Sequence, residues 1–471
     1  MEYYYIRKQK KTMIILSIPY LNNDYVIQKA KEYQNYWKEF RLDYSKNFQS
    51  FPQEIIDKKT ILTIRSVKEG GKHKTDIADK IEFYNKIISI KNCVCDLEIN
   101  EVDNLEITSI PGNNLILSYH DFSENINFTK LNKVVRKSNS ISSRFLKIAV
   151  NVSKYSDLIK LSKIISESNK PVIFAGMGKL GKISRILFRH LGADATFIGL
   201  PNNRTAQGQL IPEEAELFKL RLISPKTQIG GIIGGEQVEH SLGIKYYNDL
   251  FTKEKLNAVY IPFVTDDIDD LWNWINKADI NFYGFSITMP LKKKVGAKKQ
   301  LSAVNLFLPK TDEMLNTDLI AFQRSIEILK IKKDESILII GSGATAEIAL
   351  KAFQAYDNVT ISSRNKIAGK KLADENKKQF TQLQLLGNYK FDLIINCTPI
   401  GVKNEDLLKS LNLKLPKRVM ELPYKKKNTL LINRCIENNI EYIDGKNFWI
   451  LQAKLQQKKF ISEICNLGGI I

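Results

Sequence analysis

The sequence predicts an α/β protein, a closed (β/α)8 barrel followed by a two-domain α/β unit that contains a Rossmann fold. Three observations predict it. Between Met13 and about Leu200, eight short β-branched runs alternate with longer helical stretches, the number a closed barrel requires. Polar residues recur at the C-terminal ends of those runs, the face on which such barrels build their sites. Far downstream, the apolar run Ser336-Ile337-Leu338-Ile339-Ile340 feeds directly into Gly341-Ser342-Gly343-Ala344-Thr345-Ala346, the strand-to-helix turn of a dinucleotide fold.

The candidate strands of the barrel are Met13–Ile18, Tyr36–Asp43, Thr60–Arg65, Cys93–Glu98, Asn114–Tyr119, Leu146–Val150, Pro171–Ala175 and Ala195–Leu200. Glu39, Arg41, Asp43, Arg65, Glu98, His120 and Lys147 fall at or near their ends. One charge at a strand end is common, but repetition over most of the strands is harder to dismiss. Pro225-Lys226-Thr227-Gln228-Ile229-Gly230-Gly231 reads as a connector, and a fresh α/β pattern opens at Ile232-Ile233-Gly234. The expected division is a barrel over 13–224, a second domain over 229–330 completed by 441–471, and the Rossmann domain over 331–440.

At 471 residues the chain exceeds one ordinary core and suits two or three domains. Its 43% hydrophobic and 26% charged residues are those of a soluble globular protein, and no apolar run is long enough to cross a bilayer. The basic start, Met1 to Lys11, followed by Met13-Ile14-Ile15-Leu16-Ser17-Ile18 imitates a signal peptide, but Pro19 ends the run too soon. A first buried strand behind a loose leader is expected, with Met13 as an alternative initiator. Five scattered cysteines indicate neither a disulfide framework nor a metal site and fit a reducing cytoplasm. The net charge of +20 is spread along the chain, with only short runs such as Lys292-Lys293-Lys294 and Lys425-Lys426-Lys427. It is read as a solvated surface that favours small anionic substrates, rather than as a nucleic-acid or membrane site.

Only four histidines exist, so their positions carry weight. His120 ends the fifth candidate strand in Leu117-Ser118-Tyr119-His120-Asp121-Phe122, and Lys147 lies inside the sixth. A lysine aimed into a barrel is costly unless neutralised, paired or reactive. Desolvation lowers an amine's pKa, and a neutral amine attacks a ketone to form an imine. The alternative is an ammonium that reaches the rim and pairs with a carboxylate.

Taken together, Glu39-Phe40-Arg41-Leu42-Asp43, Arg65-Ser66-Val67-Lys68-Glu69-Gly70-Gly71, the His120 and Lys147 segments, Gly181-Lys182-Ile183-Ser184-Arg185 and Thr205-Ala206-Gln207-Gly208-Gln209 resemble the type I 3-dehydroquinate dehydratases. The resemblance covers roughly Met13 to Arg221. It implies that Lys147 forms a Schiff base with the substrate ketone, that His120 removes the adjacent proton and later protonates the departing hydroxyl, and that Glu69 orients His120. It further implies that Arg185 grips the substrate carboxylate, while Glu39, Arg41, Arg65, Thr205 and Gln209 bind the remaining oxygens. The family often has Ser where Thr205 stands and Pro where Gln207 stands.

In the second half, the glycine turn is joined by Val359-Thr360-Ile361-Ser362-Ser363-Arg364 about twenty residues on, where an acid would hold the ribose of NAD. No acid is present. Arg364 with Ser362 and Ser363 suits the 2′-phosphate of NADP, although a strand-end arginine is often merely solvated. Gly284-Phe285-Ser286-Ile287-Thr288-Met289-Pro290-Leu291-Lys292, Asn305, Asn316-Thr317-Asp318, Asn396-Cys397-Thr398-Pro399-Ile400-Gly401, Tyr424, and Asp444-Gly445 leading to Gln452 resemble the shikimate dehydrogenases from about Ile232 onward. The resemblance implies NADPH hydride delivered to the ketone of 3-dehydroshikimate, with Lys292 and Asp318 as the catalytic pair. Ser241, Thr288, Asn305, Tyr424 and Gln452 would bind substrate; Gly341, Ser342, Gly343, Ala344, Ala346, Ser363, Arg364, Asn396 and Thr398 would bind the cofactor. Departures are Gly243, Ile244, Tyr247, Leu306 and Glu421, where the family usually has serine, proline, histidine, threonine and aspartate. The expectation is a bifunctional enzyme of small-molecule substrates; the rivals are an active dehydratase fused to a non-catalytic or quinate- or NAD-preferring module, and a basic nucleic-acid-binding protein.

Overall fold

The computed structural model describes residues 12–102, 109–301, 303–423 and 427–469; the leader Met1–Lys11, Tyr424 and Lys425-Lys426 lie outside them. Eight parallel strands close into a barrel: β1 (Met13–Pro19), β2 (Trp37–Arg41), β3 (Thr60–Thr63), β4 (Val94–Glu98), β5 (Leu115–Asp121), β6 (Phe145–Asn151), β7 (Val172–Met177) and β8 (Ala195–Gly199), with β8 paired back to β1. All eight expected strands are present.

Side chains two apart on a strand share a face, and that period stacks the barrel interior in layers. Ile15, Ile61, Val94, Ile116, Phe145, Ile173 and Ala195 form an apolar floor, with Trp37 packed against it. One step up, two residues along each strand, stand Ser17, Glu39, Thr63, Asp96, Ser118, Lys147 and Phe197, all buried. The next step carries Arg41, Arg65, Glu98, His120 and Ala149.

Two strands end earlier than the sequence suggests. Arg41 folds onto Asp43 through two hydrogen bonds of 2.8 and 2.9 Å, and Leu42–Tyr44 turns into a short 3-10 helix. Beyond β3, Ile64 N–H leaves the ladder and donates to the Tyr84 hydroxyl at 2.8 Å.

The chain forms two compact units. The first runs from the start of the described chain to Gly231 and takes in Glu236–Phe282 and Gly469. It therefore unites the barrel with the helices Leu242–Lys253 and Ile268–Lys277. Asp270 on the latter helix caps the barrel helix Tyr155–Ser166, accepting from Tyr155 N–H at 2.6 Å and Ser156 N–H at 3.2 Å. The buried Tyr155 ring lies 5.5 Å from Trp274 and 6.3 Å from Phe263. Along this stretch run β9 (Gln228–Gly234) and β10 (Ala258–Val264).

The second unit comprises Ile232–Gly235 and Tyr283–Gly468. Antiparallel pairing joins β11 (Phe282–Ile287), β12 (Leu306–Leu308) and β13 (Glu313–Leu315), with Ser286 opposite Leu306 and Leu306 opposite Leu315. A six-stranded parallel sheet has the order β16-β15-β14-β17-β18-β19, from β14 (Ile337–Ile340), β15 (Val359–Ser362), β16 (Gln379–Phe380), β17 (Leu393–Asn396), β18 (Arg418–Glu421) and β19 (Glu441–Asp444). Strand order reverses beside β14, and ligands of open parallel sheets bind at the C-terminal ends of strands at such a switch point. The last helix, Gly445–Asn466, packs on Thr317–Ile328, with Phe322 and Phe448 ring centroids 4.6 Å apart. Among the described residues no helix is long and apolar enough to cross a membrane.

Asp270→Ala removes a side-chain cap and leaves two N–H groups of the barrel helix without it. The expected cost is about 1 kcal/mol, read as a lower urea midpoint; an unchanged midpoint would show that water replaces the cap.

Candidate active sites

A cavity of about 320 Å³ opens at the C-terminal ends of the barrel strands, lined among others by Glu39, Arg65, Glu69, His120, Lys147 and Arg185. Lys147 rises from β6 and is 5% exposed. Its Nζ lies 2.9 Å from Glu39 Oε1, 3.1 Å from Asp96 Oδ2 and 4.3 Å from the centre of the Phe197 ring. Burial is as the sequence predicts, and the amine is bracketed by two carboxylates, so the resting side chain is an ion pair.

Both carboxylates are themselves anchored. Glu39 also accepts from Ser17 at 2.5 Å and Thr63 at 2.9 Å. Asp96 accepts from Arg65 at 2.8 Å and from Ser118 at 2.6 Å. Burial works to raise the pKa of Asp96, but the charges of Arg65 and Lys147 outweigh it and hold the carboxyl well below the usual range. Glu39 is likewise held low by Lys147 and Arg41 against its burial. Arg65 bonds Glu98 and Ser118 as well as Asp96, and Arg41 is engaged by Asp43.

His120 Nδ1 lies 2.9 Å from Glu69 Oε2, and Asn100 holds the other Glu69 oxygen at 3.0 Å. Burial, then the positive charges of Arg65 and Lys147, drive the imidazole pKa well below its ordinary value. The ring is therefore neutral at pH 7. Burial and neighbouring Glu98 push the Glu69 carboxyl up to about 7. When Glu69 is ionised, Nδ1 carries the hydrogen and Nε2 is left as a base.

Arg185 is 1% exposed and its guanidinium donates to the backbone carbonyls of Gly176 at 2.9 Å and Phe197 at 2.8 Å. It forms no ion pair with a carboxylate among the described residues, and burial lowers its pKa to about 9. A buried cation so placed calls for an anionic ligand. Thr205 donates to Ser17 at 2.8 Å, while Gln209 Oε1 accepts from Thr205 N–H and Ala206 N–H and so shapes the loop over the cavity.

In the second unit, Lys292 at the start of the helix Lys292–Ala297 meets Asp318 at 2.6 Å. Asn316 caps the Asp318 helix, accepting from Asp318 N–H at 3.0 Å. Asn305 Oδ1 accepts from Thr317 N–H at 2.7 Å, and Gln452 Oε1 accepts from Thr317 Oγ1 at 3.1 Å. Thr288 lies between β11 and Lys292, its N–H donating to Ile233 O at 3.0 Å.

In the first unit, Ser241 caps the helix Leu242–Lys253, accepting from Gly243 N–H at 3.2 Å. The sequence departures nearby are packing features. The Tyr247 and Tyr260 ring centroids lie 4.5 Å apart with the planes tilted by 36°, and a Cβ on Gly243 would meet the Tyr260 ring at 3.3 Å.

At the dinucleotide turn, Gly341 has φ +130°, and a Cβ there would meet the Cys397 carbonyl at 3.2 Å. Gly343 caps the helix Ala344–Ala352 with open space where its Cβ would be, so a phosphate can approach the helix N-terminus. Ala346 is buried beneath it and Ser342 sits within the turn. Arg364 is exposed at the end of β15. These residues fit NADP. Ser363, Asn396 and Thr398 are occupied internally: Ser363 donates to Asn365 O at 2.7 Å, and Asn396 Oδ1 accepts from Thr398 N–H and hydroxyl at 3.0 and 2.7 Å. Asn396 Nδ2 reaches Glu421 at 2.9 Å, and burial pushes that carboxyl up to about 7.

Sequence reasoning passed over Asp96, Ser118, Ser17, Thr63 and Gln456. For the first four a signal existed: each stands two residues before or after a floor or rim residue on its strand, so parity alone puts them in the interior.

Glu69 also makes a prediction. Its folded pKa exceeds that of the unfolded chain, so the neutral form favours folding and that contribution is lost as pH rises through about 7. Glu69→Gln should lose less stability between pH 5 and pH 8 than the parent, by at most about 3 kcal/mol, compared by urea unfolding at both pH values. Equal losses would exclude a raised carboxyl.

Residues 16–219 match the family model for Type I 3-dehydroquinase, and residues 233–300 match that for the Shikimate dehydrogenase substrate binding domain. The chain is 27% identical over 472 residues to the bifunctional 3-dehydroquinate dehydratase/shikimate dehydrogenase, chloroplastic, of Arabidopsis thaliana, covering 90% of this chain and 77% of that protein. It is 30% identical over 255 residues to the shikimate dehydrogenase (NADP(+)) of Methanococcus aeolicus, covering 49% of this chain and 91% of the relative. The corresponding protein of Pyrococcus furiosus is 31% identical over 248 residues, with 49% and 88% covered.

Proposed function

Since the chain belongs to the shikimate dehydrogenases and its barrel matches Type I 3-dehydroquinase, we propose that it dehydrates 3-dehydroquinate to 3-dehydroshikimate and reduces that product to shikimate with NADPH. We assign the dehydratase to 13–224, the dehydrogenase substrate domain to 229–330 completed by 441–471, and the NADP domain to 331–440. The observation that carries the first activity is Lys147, buried between Glu39 and Asp96 in one cavity with His120, whose pKa burial lowers, and with Arg185, which pairs with no carboxylate among the described residues.

In the dehydratase, the Arg185 guanidinium holds the substrate carboxylate, and Glu39, Arg41, Arg65, Thr205 and Gln209 surround the ring. Lys147, on losing its proton, attacks the ketone and water departs to leave a protonated imine. The positive nitrogen draws electrons from the adjacent C–H bond. His120 Nε2 removes that proton and then delivers it to the hydroxyl that leaves as water. Hydrolysis of the imine restores Lys147. Glu69 keeps the imidazole in the tautomer with Nε2 free.

In the dehydrogenase, Gly341, Ser342, Gly343, Ala344 and Ala346 would receive the cofactor's pyrophosphate, with Ser363 and Arg364 at its 2′-phosphate and Asn396 and Thr398 shaping the adjoining turn; NADPH supplies hydride when bound. Lys292 gives a proton to the ketone oxygen, and Asp318 holds the ammonium in place. Thr288, Asn305 and Gln452 would bind substrate, and the family resemblance assigns the same role to Ser241 and Tyr424. Five free cysteines support a reducing, cytoplasmic setting, and small-molecule substrates rather than nucleic acid account for the basic surface.

Borohydride reduction during turnover of 3-dehydroquinate should fix product covalently on Lys147; labelling elsewhere would refute the imine. Lys147→Ala should abolish dehydration, by at least about 10³-fold, and leave NADPH oxidation with 3-dehydroshikimate intact, while Lys292→Ala does the converse. Comparing shikimate and quinate with NADP and NAD then tests the pairing: Arg364→Ala should weaken NADPH and spare NADH.

A further inference from the structure

Gln456 lies one turn beyond Gln452 on the helix Gly445–Asn466 and is buried. One end of its amide lies 3.1 Å from the backbone carbonyl oxygen of Asn305. A carbonyl only accepts, so that end is Nε2. The other end, Oε1, accepts from the Ser286 hydroxyl at 2.6 Å.

The same Nε2 stands 2.9 Å from the Gln452 amide and 3.2 Å from Thr317 Oγ1. A donor needs an acceptor opposite it, so Gln452 turns its Oε1 inward, where Thr317 Oγ1 is also within 3.1 Å. Gln452 Nε2 is then the end left for a ligand. Asn305 is fixed in the same way: its Oδ1 faces Thr317 N–H at 2.7 Å, an obligate donor, so Nδ2 is its outward end.

We propose that Gln456 is a positioning residue that sets the polarity of the dehydrogenase pocket, locking Gln452 as a hydrogen-bond donor. With Asn305 Nδ2 and the Lys292 ammonium, the pocket offers donors to ring oxygens, and Asp318 offers an acceptor. The ligand class is a polyol acid whose hydroxyl oxygens accept from Asn305 and Gln452. The inference rests on the dehydrogenase reading above and deepens it.

The test uses the full chain saturated with NADP+ and measures shikimate affinity by calorimetry, alongside the KM and kcat of shikimate oxidation. At pH 8, Gln456→Glu places an acceptor against the Asn305 carbonyl and the Gln452 oxygen. Shikimate affinity should fall at least about tenfold, with KM rising in step, while kcat at saturation and NADP+ affinity stay within about twofold. As pH falls toward 5, the introduced carboxyl regains a proton and affinity recovers relative to the parent at the same pH. Gln456→Met, which keeps length without a donor, should show the loss with no recovery, and it serves if the charged variant fails to fold. On a Gln452→Ala background, Gln456→Met should add less than about twofold.

Parent-like affinity in both variants, or a loss that simply adds to that of Gln452→Ala, overturns the proposal while leaving the dehydrogenase reading standing. A parent protein that neither binds nor oxidises shikimate overturns both.

Discussion

Glu39 and Asp96 stand on either side of the Lys147 ammonium inside a closed barrel, and the geometry of the first site follows from that bracket. Each group would be expensive to bury alone. Together with Arg65 and Glu98 they form a grid in which every charge meets an opposite one. Such grids contribute little net stability; their effect is to fix positions. The amine is held inside the cavity, and burial, with the charges of Arg65 and Lys147 adding to it, drives the His120 pKa down.

The barrel was legible because parallel strands buried on both faces read as compact apolar runs, and all eight were found. Lys147 and His120 stood out because rare or charged residues interrupt those runs, Arg185 only through the family resemblance of its segment, and the cavity brings the three together. Asp96 did not stand out, since its role depends on Arg65 and Ser118, which are 31 and 22 residues away. The strand ends at Arg41 and Thr63 were missed for a related reason: side-chain bonds from Asp43 and Tyr84, not propensity, terminate the pairing.

In the second half, the glycine turn was visible as a local pattern and the lysine–aspartate pair through the family resemblance, and Lys292 meets Asp318. Gln456 was invisible because a glutamine on a long polar-apolar helix looks like any solvated face; only the fold reveals that it touches Asn305, 151 residues earlier. The unusual Gly243 is explained by packing, since a Cβ there would meet the Tyr260 ring at 3.3 Å, and Tyr247 packs against that same ring.

The cap that Asp270 places on the helix Tyr155–Ser166 spans 115 residues of sequence. On the ribosome, at roughly 5–20 residues per second, that helix waits on the order of ten seconds for the carboxylate that finishes it. The nascent barrel is thus completed by chain synthesised after it, so the order of the two modules in the message bears on how the first one matures.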